Sequence, residues 1–217
     1  MKEISRVVRS KEKARQTYDG ISRWYDLFAA SEKKFADLGL EMLNLKSGEI
    51  ALEVGYGTGQ ALVALALAAY PATVYGIDIS EKMRAIAEKR LLRAGLADSV
   101  HLKTGDASTL PYSDEYFDAI FISFTLELFD TPEIPILLQE CKRVLKPSGR
   151  LVIVALEKED SLAVTIYEWF HGKMPALVDC RPIYTLANIE EAAFVISNKQ
   201  ILKMWGLPVS IVMGLKL

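Results

Sequence analysis

The residues best placed to do chemistry are one acid and three glycines, Glu53, Gly55, Gly57 and Gly59, in the stretch Leu52-Glu53-Val54-Gly55-Tyr56-Gly57-Thr58-Gly59-Gln60. A strand that turns sharply into a helix needs backbone angles that glycine adopts cheaply, and a ligand lying flat on the turn needs the missing side chains. The helix start behind the turn offers unpaired N–H groups. A dinucleotide loop spaces its glycines G-x-G-x-x-G; here the third glycine comes one residue early. A carboxylate at Glu53 would repel a pyrophosphate, but it suits a ligand with a positive end, such as an amino group. Asp78 closes the next apolar run, where an acid can accept both hydroxyls of a ribose. Asp106 closes the run after that, where an adenine amine could be read. The inventory points to an adenosine that carries an amino acid, rather than to a dinucleotide.

These residues must be positioned by alternating strands and helices. Ile50–Val54 reads as a buried strand leading into the glycine turn, and Ala61–Ala69 as the helix leaving it, ended before Pro71. Thr73–Ile79 is a second strand. Ser80 caps a helix to residue 94, and Gly95 ends it. Val100–Thr104 is a third strand, closed by Gly105-Asp106-Ala107. The apolar run Phe117–Phe124 is a fourth, 133–145 is helical, Lys146-Pro147-Ser148-Gly149 is a tight turn, and Arg150–Leu156 is a fifth strand. Repeated β-α order means a parallel sheet with right-handed crossovers. Residues 160–171 and a short segment up to Ala193 read as helices. Phe194–Trp205 and Val209–Leu217, around Gly206-Leu207-Pro208, read as an antiparallel hairpin finishing the sheet. Before the glycine turn, 31–44 has helical spacing. Residues 1–16 form a weakly amphipathic basic helix. Residues 17–30 are dense in aromatics, with Tyr18 and Tyr25 seven apart and so on one face of a single helix, either packed in the core or lining a site.

The expected fold is therefore α/β: a Rossmann-like, doubly wound seven-stranded sheet, mostly parallel, with a C-terminal antiparallel hairpin and an N-terminal helical cap. One domain is expected over 1–217, with the cap at 1–45, a cofactor-binding core at 46–156, and an acceptor-side insert and hairpin at 157–217. The 217 residues suffice for one full core. A net charge of -2 points to neither nucleic acid nor an anionic membrane. No apolar run approaches the ~20 residues needed to span a bilayer, and the charged start is unlike a signal peptide. Cys141 and Cys180 have no metal or redox spacing, so reduced thiols, a cytoplasmic setting and no metal are expected.

Five motifs in order resemble those of class I S-adenosylmethionine-dependent methyltransferases: Glu53-Val54-Gly55-Tyr56-Gly57-Thr58-Gly59, Gly76-Ile77-Asp78-Ile79-Ser80-Glu81-Lys82-Met83, Gly105-Asp106-Ala107, Phe117-Asp118-Ala119-Ile120 and Val144-Leu145-Lys146-Pro147-Ser148-Gly149. The resemblance covers roughly residues 17–156. It implies S-adenosyl-L-methionine as cofactor and S-adenosyl-L-homocysteine as product. It places Glu53 near the methionine amino group, lets the cofactor lie against Gly55, Tyr56, Gly57, Thr58 and Gly59, and puts the ribose on Asp78. It sandwiches the adenine between Ile79 and Met83, reads its edge with Gly105, Asp106 and Ala107, and sets Phe124 beside the methionine portion. Tyr18-Asp19, Trp24-Tyr25-Asp26, Ile122-Ser123-Phe124 and Asp130 look like the methyltransferase type 11-like branch. That branch includes ubiquinone and menaquinone C-methyltransferases and phosphatidylethanolamine N-methyltransferases, and in it an N-terminal aromatic helix carrying Tyr18 and Tyr25 folds over the cofactor.

The resemblance implies a methyltransferase acting on a small-molecule or lipid-like acceptor, with room for peripheral membrane contact. A non-catalytic cofactor-binding protein and an NAD(P)-dependent oxidoreductase are the other readings; the second is disfavoured by Glu53 and the glycine spacing. His171, one of two histidines, is the candidate base or orienter. Tyr167, Trp169, Arg181 and Tyr184 are candidates for the acceptor pocket, because the insert after strand five passes the sheet's carboxyl end. Five features depart from the family pattern: Tyr56 inside the loop, Leu128 where many relatives carry His, the absence of the quinone enzymes' Asn-Val-Thr-Asp-like stretch, a shorter tail, and Asp179-Cys180-Arg181-Pro182, which has no counterpart.

Overall fold

The computed structural model describes the backbone of residues 25–173 and 180–217, and the side chains of 31–171 and 180–217. Tyr18 and the 1–16 segment lie outside the described residues, and so do the side chain of Tyr25 and the residue Asp179. Seven strands form one sheet in the order β3-β2-β1-β4-β5-β7-β6. They are β1 (Ala51–Val54), β2 (Val74–Asp78), β3 (Val100–Thr104), β4 (Phe117–Ser123), β5 (Leu145–Leu156), β6 (Val195–Met204) and β7 (Leu207–Leu215). β1 to β5 pair in parallel, and β7 runs antiparallel to both β5 and β6. This is the doubly wound mixed sheet that the sequence predicts. The helices are α1 (Tyr25–Leu43), α2 (Gln60–Ala69), α3 (Glu81–Arg93), α4 (Ile134–Val144), α5 (Leu162–Lys173) and α6 (Thr185–Glu191).

Strand alternation sorts the core onto the sheet's two faces. Ala51, Val74, Ala119, Phe121, Val152 and Val154 face α1, α2 and α3. Leu52, Val54, Ile77, Ile120, Ile122 and Ile153 face α4 and α6. α2 is almost wholly alanine and leucine, good helix formers, and buries Ala61, Leu62, Leu65, Ala66 and Ala69. α3 is fixed at both ends: Ser80 Oγ accepts the Met83 N–H at 3.2 Å, Glu81 opens it, and Arg90 and Arg93 close it toward the negative pole of its dipole.

Three boundaries differ from the sequence reading, each for a physical reason. α1 begins before residue 31, because no glycine or proline between Tyr25 and Ser31 breaks it. Lys146–Gly149 is drawn into β5, with the register slipping between Phe117 and Ala119. There Lys146 Nζ donates to Asp118 Oδ1 at 2.7 Å and ties the irregular stretch to β4. The hairpin turns on Trp205-Gly206, both left-handed, so Leu207 and Pro208 open β7. Proline is tolerated at the first residues of a strand, where its missing donor costs little.

Two contacts hold α1 against the sheet. Its last carbonyl, on Leu43, accepts from Arg150 Nε at 2.6 Å, while the same guanidinium grips Glu49 bidentately at 2.6 and 3.0 Å. That grip holds the Glu49 carboxyl below the usual range. In mid-helix, Gly39 lies so close to the sheet that a Cβ there would meet Val154 Cγ2 at 2.6 Å and Phe121 Cε2 at 2.9 Å. Gly39→Val is therefore expected to push α1 off β4 and β5, costing about 1–3 kcal/mol. The check is a lowered midpoint in thermal unfolding; an unchanged Tm would contradict the close approach.

Candidate functional site

Strand order reverses between β1 and β4, and the crevice outside their carboxyl ends is where open α/β sheets bind ligands. Every loop that the sequence marks as chemical opens there. The glycine turn leaves β1 with all three glycines at positive φ, 74° at Gly55, 50° at Gly57 and 77° at Gly59. Two have neighbours that exclude a side chain. A Cβ on Gly55 would lie 2.2 Å from Thr125 Oγ1, and one on Gly59 2.8 Å from Ala87 Cβ of α3. The loop is thus shaped as much by the protein packed on it as by any ligand.

Asp78 organises this turn. Its Oδ2 accepts the Gly57 N–H at 2.8 Å and its Oδ1 the Ser80 N–H at 2.9 Å. Burial pushes its carboxyl pKa up, and the N–H groups of Ser80, Gly57 and Ile79 pull it back. A carboxylate has about four acceptor positions, so these three N–H groups do not exhaust it, and Asp78 lines the crevice.

Two cavities flank the turn and share Gly55 and Gly57. The first lies over the ends of β1 to β4. Its acidic lining is Asp78, Asp106 and Glu133, and its apolar lining includes Ile79, Met83, Ala107 and Phe124. Gly105 completes the part that the sequence predicts. Thr125, Leu128 and Phe129 also line it and were not among the predicted residues. Phe124 sits in the left-handed region, φ 47°, which is strained for a non-glycine residue. Its N–H donates to Val154 O at 2.8 Å and its ring meets Phe35 of α1 edge-on at 6.5 Å. The chain is held there, so Phe124 and its neighbours form an apolar wall.

The second cavity lies between the turn, α1 and α2, and takes in Glu53, Tyr56 and Thr58 of the predicted set together with Glu32. Glu53 is buried, and its Oε2 has no hydrogen-bond partner among the described residues. Burial, and then the charge of Asp78, raise its pKa well above the ordinary carboxyl value. Tyr56 is explained by packing. Its ring lies where a Cβ on Gly76 would meet it at 2.8 Å, and its hydroxyl reaches Lys103 O at 3.4 Å. A small residue at 76 lets a large one at 56 fill the gap over β2 and β3.

The acceptor candidates fall elsewhere. His171, half-buried in α5, and Tyr167, Trp169, Arg181 and Tyr184 line neither cavity. Tyr167 donates its hydroxyl to Cys180 O at 2.8 Å, Trp169 is exposed and edge-on to Phe170, and Tyr184 precedes α6. Arg181 is fully buried: Nη2 donates to Phe129 O at 2.5 Å and Nη1 to Thr131 Oγ1 at 3.1 Å. Its guanidinium thus clasps the 180–184 segment to the loop after β4 instead of offering a charge to a ligand. The same segment is fixed from below by Ile183, whose N–H donates to Leu156 O and whose carbonyl accepts from Lys158.

Glu127, on the short 3-10 turn Leu126–Leu128, was not predicted either. It is fully buried, its Oε1 accepts the Leu156 N–H at 3.2 Å, and burial pushes its pKa up to about 8. Nothing in its local sequence marks it, because the group it meets, the Leu156 N–H, lies 29 residues further along the chain.

A family model described as a methyltransferase domain matches residues 52–153. The chain is 38% identical over 123 residues to a demethylmenaquinone methyltransferase of Lactobacillus johnsonii, a match covering 56% of this chain and 48% of that one. The chain spans about half the length of the curated relatives it matches first. Among solved structures it superposes on a [4+2]-cyclase, SpnF, with TM-score 0.77 and 21% identity over 96% of this chain and 97% of that one. It superposes on an S-adenosylmethionine-dependent methyltransferase of Aquifex aeolicus with TM-score 0.64 and 24% identity over 84% and 89%. These last two likenesses show the fold.

Proposed function

We propose, from the premise that residues 52–153 are a methyltransferase domain of the class I, S-adenosylmethionine-dependent kind, that the chain methylates a small, apolar, quinol-like acceptor. The observation that carries this reading is the composition of the first cavity. Its charged lining among the described residues is acidic, and the side facing the loop after β4 is the apolar wall of Phe124, Leu128 and Phe129. A phosphate-bearing acceptor would need a cation there, and the buried Arg181 guanidinium is engaged by Phe129 O and Thr131. A flat, neutral ring suits such a wall. The curated relatives, named as demethylmenaquinone methyltransferases, support a quinone-like acceptor.

The residues present fit the cofactor. Ile79 and Met83 would flank the adenine, Asp106 and Ala107 would meet its edge, Asp78 would take the ribose hydroxyls, and the turn at Gly55 and Gly57 would admit the methionine portion; all of these residues line the first cavity. When bound, S-adenosylmethionine supplies a methyl group on a good leaving group. The chain's own task is then alignment and exclusion of water. Phe124, fixed by its strained backbone and its contact with Phe35, holds the acceptor's approach to one direction. Leu128 and Phe129 keep the space apolar. An acceptor attacking through a ring carbon must also give up the proton on that carbon, which passes to solvent after the methyl transfer as the ring regains its aromaticity.

The test is transfer of labelled methyl from S-adenosylmethionine to chemically reduced demethylmenaquinone in detergent, with the product identified by mass. A product heavier by one methyl group is expected. Binding of S-adenosylhomocysteine with no transfer to this acceptor, but with transfer to another component of a cell extract, would overturn the acceptor and keep the class.

A further inference from the structure

A surface helix of a folded domain carries one apolar stripe, turned to the core. α5 carries two. Ala163, Val164 and Tyr167 form the inner one and belong to the same core as Met204, Leu207 and Val209. Leu162, Ile166, Trp169 and Phe170 form the other. They lie four, seven and eight residues from the first and so share one side of the helix. All four are exposed, Leu162 by 76% and Trp169 by 59%. Large apolar side chains gathered on one exposed face mark a surface that meets something other than water.

A further exposed aromatic stands at the same end of the sheet. β7 runs antiparallel to β5 and pairs Val209 with Leu156, the last residue of β5. The turn before β7 therefore overshoots the carboxyl end of β5, and Trp205 of that turn is 71% exposed. α5 follows that same end of β5 in the chain. The path from α5 to the first cavity is short. Tyr167, on the inner stripe, donates its hydroxyl to Cys180 O at 2.8 Å, and Cys180 Sγ lies 4.0 Å from the carbonyl oxygen of Phe124, a residue of the cavity lining.

We propose that the outer face of α5, together with Trp205, docks the chain on the surface of an uncharged lipid bilayer. The choice of occupant rests on the apolar acceptor proposed above, since an apolar quinol collects in lipid rather than in water. The size of the patch agrees. Five side chains are few against the about 20–30 residues a side of a stable protein interface. A bilayer needs no matching surface, and a helix lying in its interface is held by one apolar stripe. No described helix is long and apolar enough to cross a membrane, so contact by lying on the surface is the mode left to α5. The charges agree as well. None of the five side chains is charged, Glu168 beside the stripe pairs with Lys158, and the chain's net charge is -2. The attraction is therefore apolar, without the cluster of cations that reads an anionic lipid surface. Tryptophan is also the side chain that settles where a bilayer's apolar core meets water.

The experiment is flotation of the full chain with phosphatidylcholine vesicles, with and without anionic phosphatidylglycerol. The chain is expected to float with phosphatidylcholine alone, equally at about 0.1 M and about 0.5 M salt, and its tryptophan emission should be quenched by lipid brominated in the acyl chains. Trp169→Ser combined with Trp205→Ser removes exposed rings only. It should weaken vesicle binding about tenfold or more and leave S-adenosylhomocysteine affinity within about twofold. Leu92→Ser, at a residue of α3 that is 70% exposed, should change neither. No flotation, flotation only with the anionic lipid, or a double variant that floats like the unaltered chain would overturn the docking. Dimers in sedimentation that the double variant dissolves, with no flotation, would overturn it in favour of a second copy of the chain. Flotation as expected, with no methyl transfer to reduced demethylmenaquinone in vesicles or in detergent, would overturn the acceptor and leave the docking standing.

Discussion

Asp78→Ala is expected to weaken S-adenosylhomocysteine by about 2 kcal/mol or more, roughly thirtyfold in the dissociation constant. The loss has two parts. One is the pair of charge-assisted hydrogen bonds to the ribose hydroxyls that the proposed site assigns to this carboxylate. The other is the glycine turn itself, since the Gly57 and Ser80 N–H groups lose the acceptor that now fixes them at 2.8 and 2.9 Å. The parts separate by ligand. 5′-Methylthioadenosine should lose affinity on substitution, and its 2′,3′-dideoxy analogue should lose only what the loosened turn accounts for. Asp78→Asn keeps one acceptor oxygen and should fall between the two. An unchanged dissociation constant for 5′-methylthioadenosine would remove Asp78 from the ribose site and leave it the fastener of a loop.

How much of this was legible in the sequence depends on the range of the cause. The sheet was legible because strand and helix patterning is local: Ala51–Val54 and Phe117–Ser123 are buried runs, and the Ser80 cap and Gly95 stop lie within a few residues of what they govern. Most of the first cavity was legible because Asp78, Asp106 and its glycines each follow a strand, and parallel strands bring all such ends to one edge; its third acid, Glu133, opens α4 and was not. Three other things were not. The sequence explains Gly55 by a ligand, whereas Thr125, seventy residues away, fills the space of its side chain. Tyr56 looks anomalous until Gly76 is seen beneath it. Glu32 lies in a helix read only for its apolar spacing, and it lines the second cavity because α1 packs on the sheet, with Gly39 close against Val154. In each case the cause is a close approach between distant segments, and periodicity carries no record of it. Arg181 is the opposite case. Its residue type suggested a ligand-binding cation, and burial turned it into a clasp.

That clasp carries the largest stability effect expected. Arg181→Met keeps most of the volume but removes the donors to Phe129 O and Thr131 Oγ1, leaving a buried carbonyl unsatisfied and the 180–184 segment untethered from the loop after β4. Leaving a buried acceptor unsatisfied costs about 1–3 kcal/mol, and at this chain length each kcal/mol lowers Tm by about 2–4 °C. The effect should also depend on pH, through Glu127. Burial raises the Glu127 pKa to about 8, the charge of Glu32 adds to the rise, and the charge of Arg181 opposes it. A carboxyl raised on folding stabilises the native state fully below its unfolded pKa, and that contribution is lost as pH rises through the folded value. Removing Arg181 moves the folded value higher still, so the loss continues over a wider range. At pH 6 Glu127 is protonated in both proteins, and the substitution costs only its hydrogen bonds and packing. At pH 9 it costs more, because the ionised carboxylate no longer has a cation nearby. Denaturant unfolding of the cofactor-free protein at the two pH values measures the difference, and Glu127→Gln in the Arg181→Met background should abolish it. A destabilisation under about 1 kcal/mol would refute the clasp. Equal destabilisation at pH 6 and pH 9 would uncouple Arg181 from Glu127, and the wall beside the first cavity would then owe its position to packing alone.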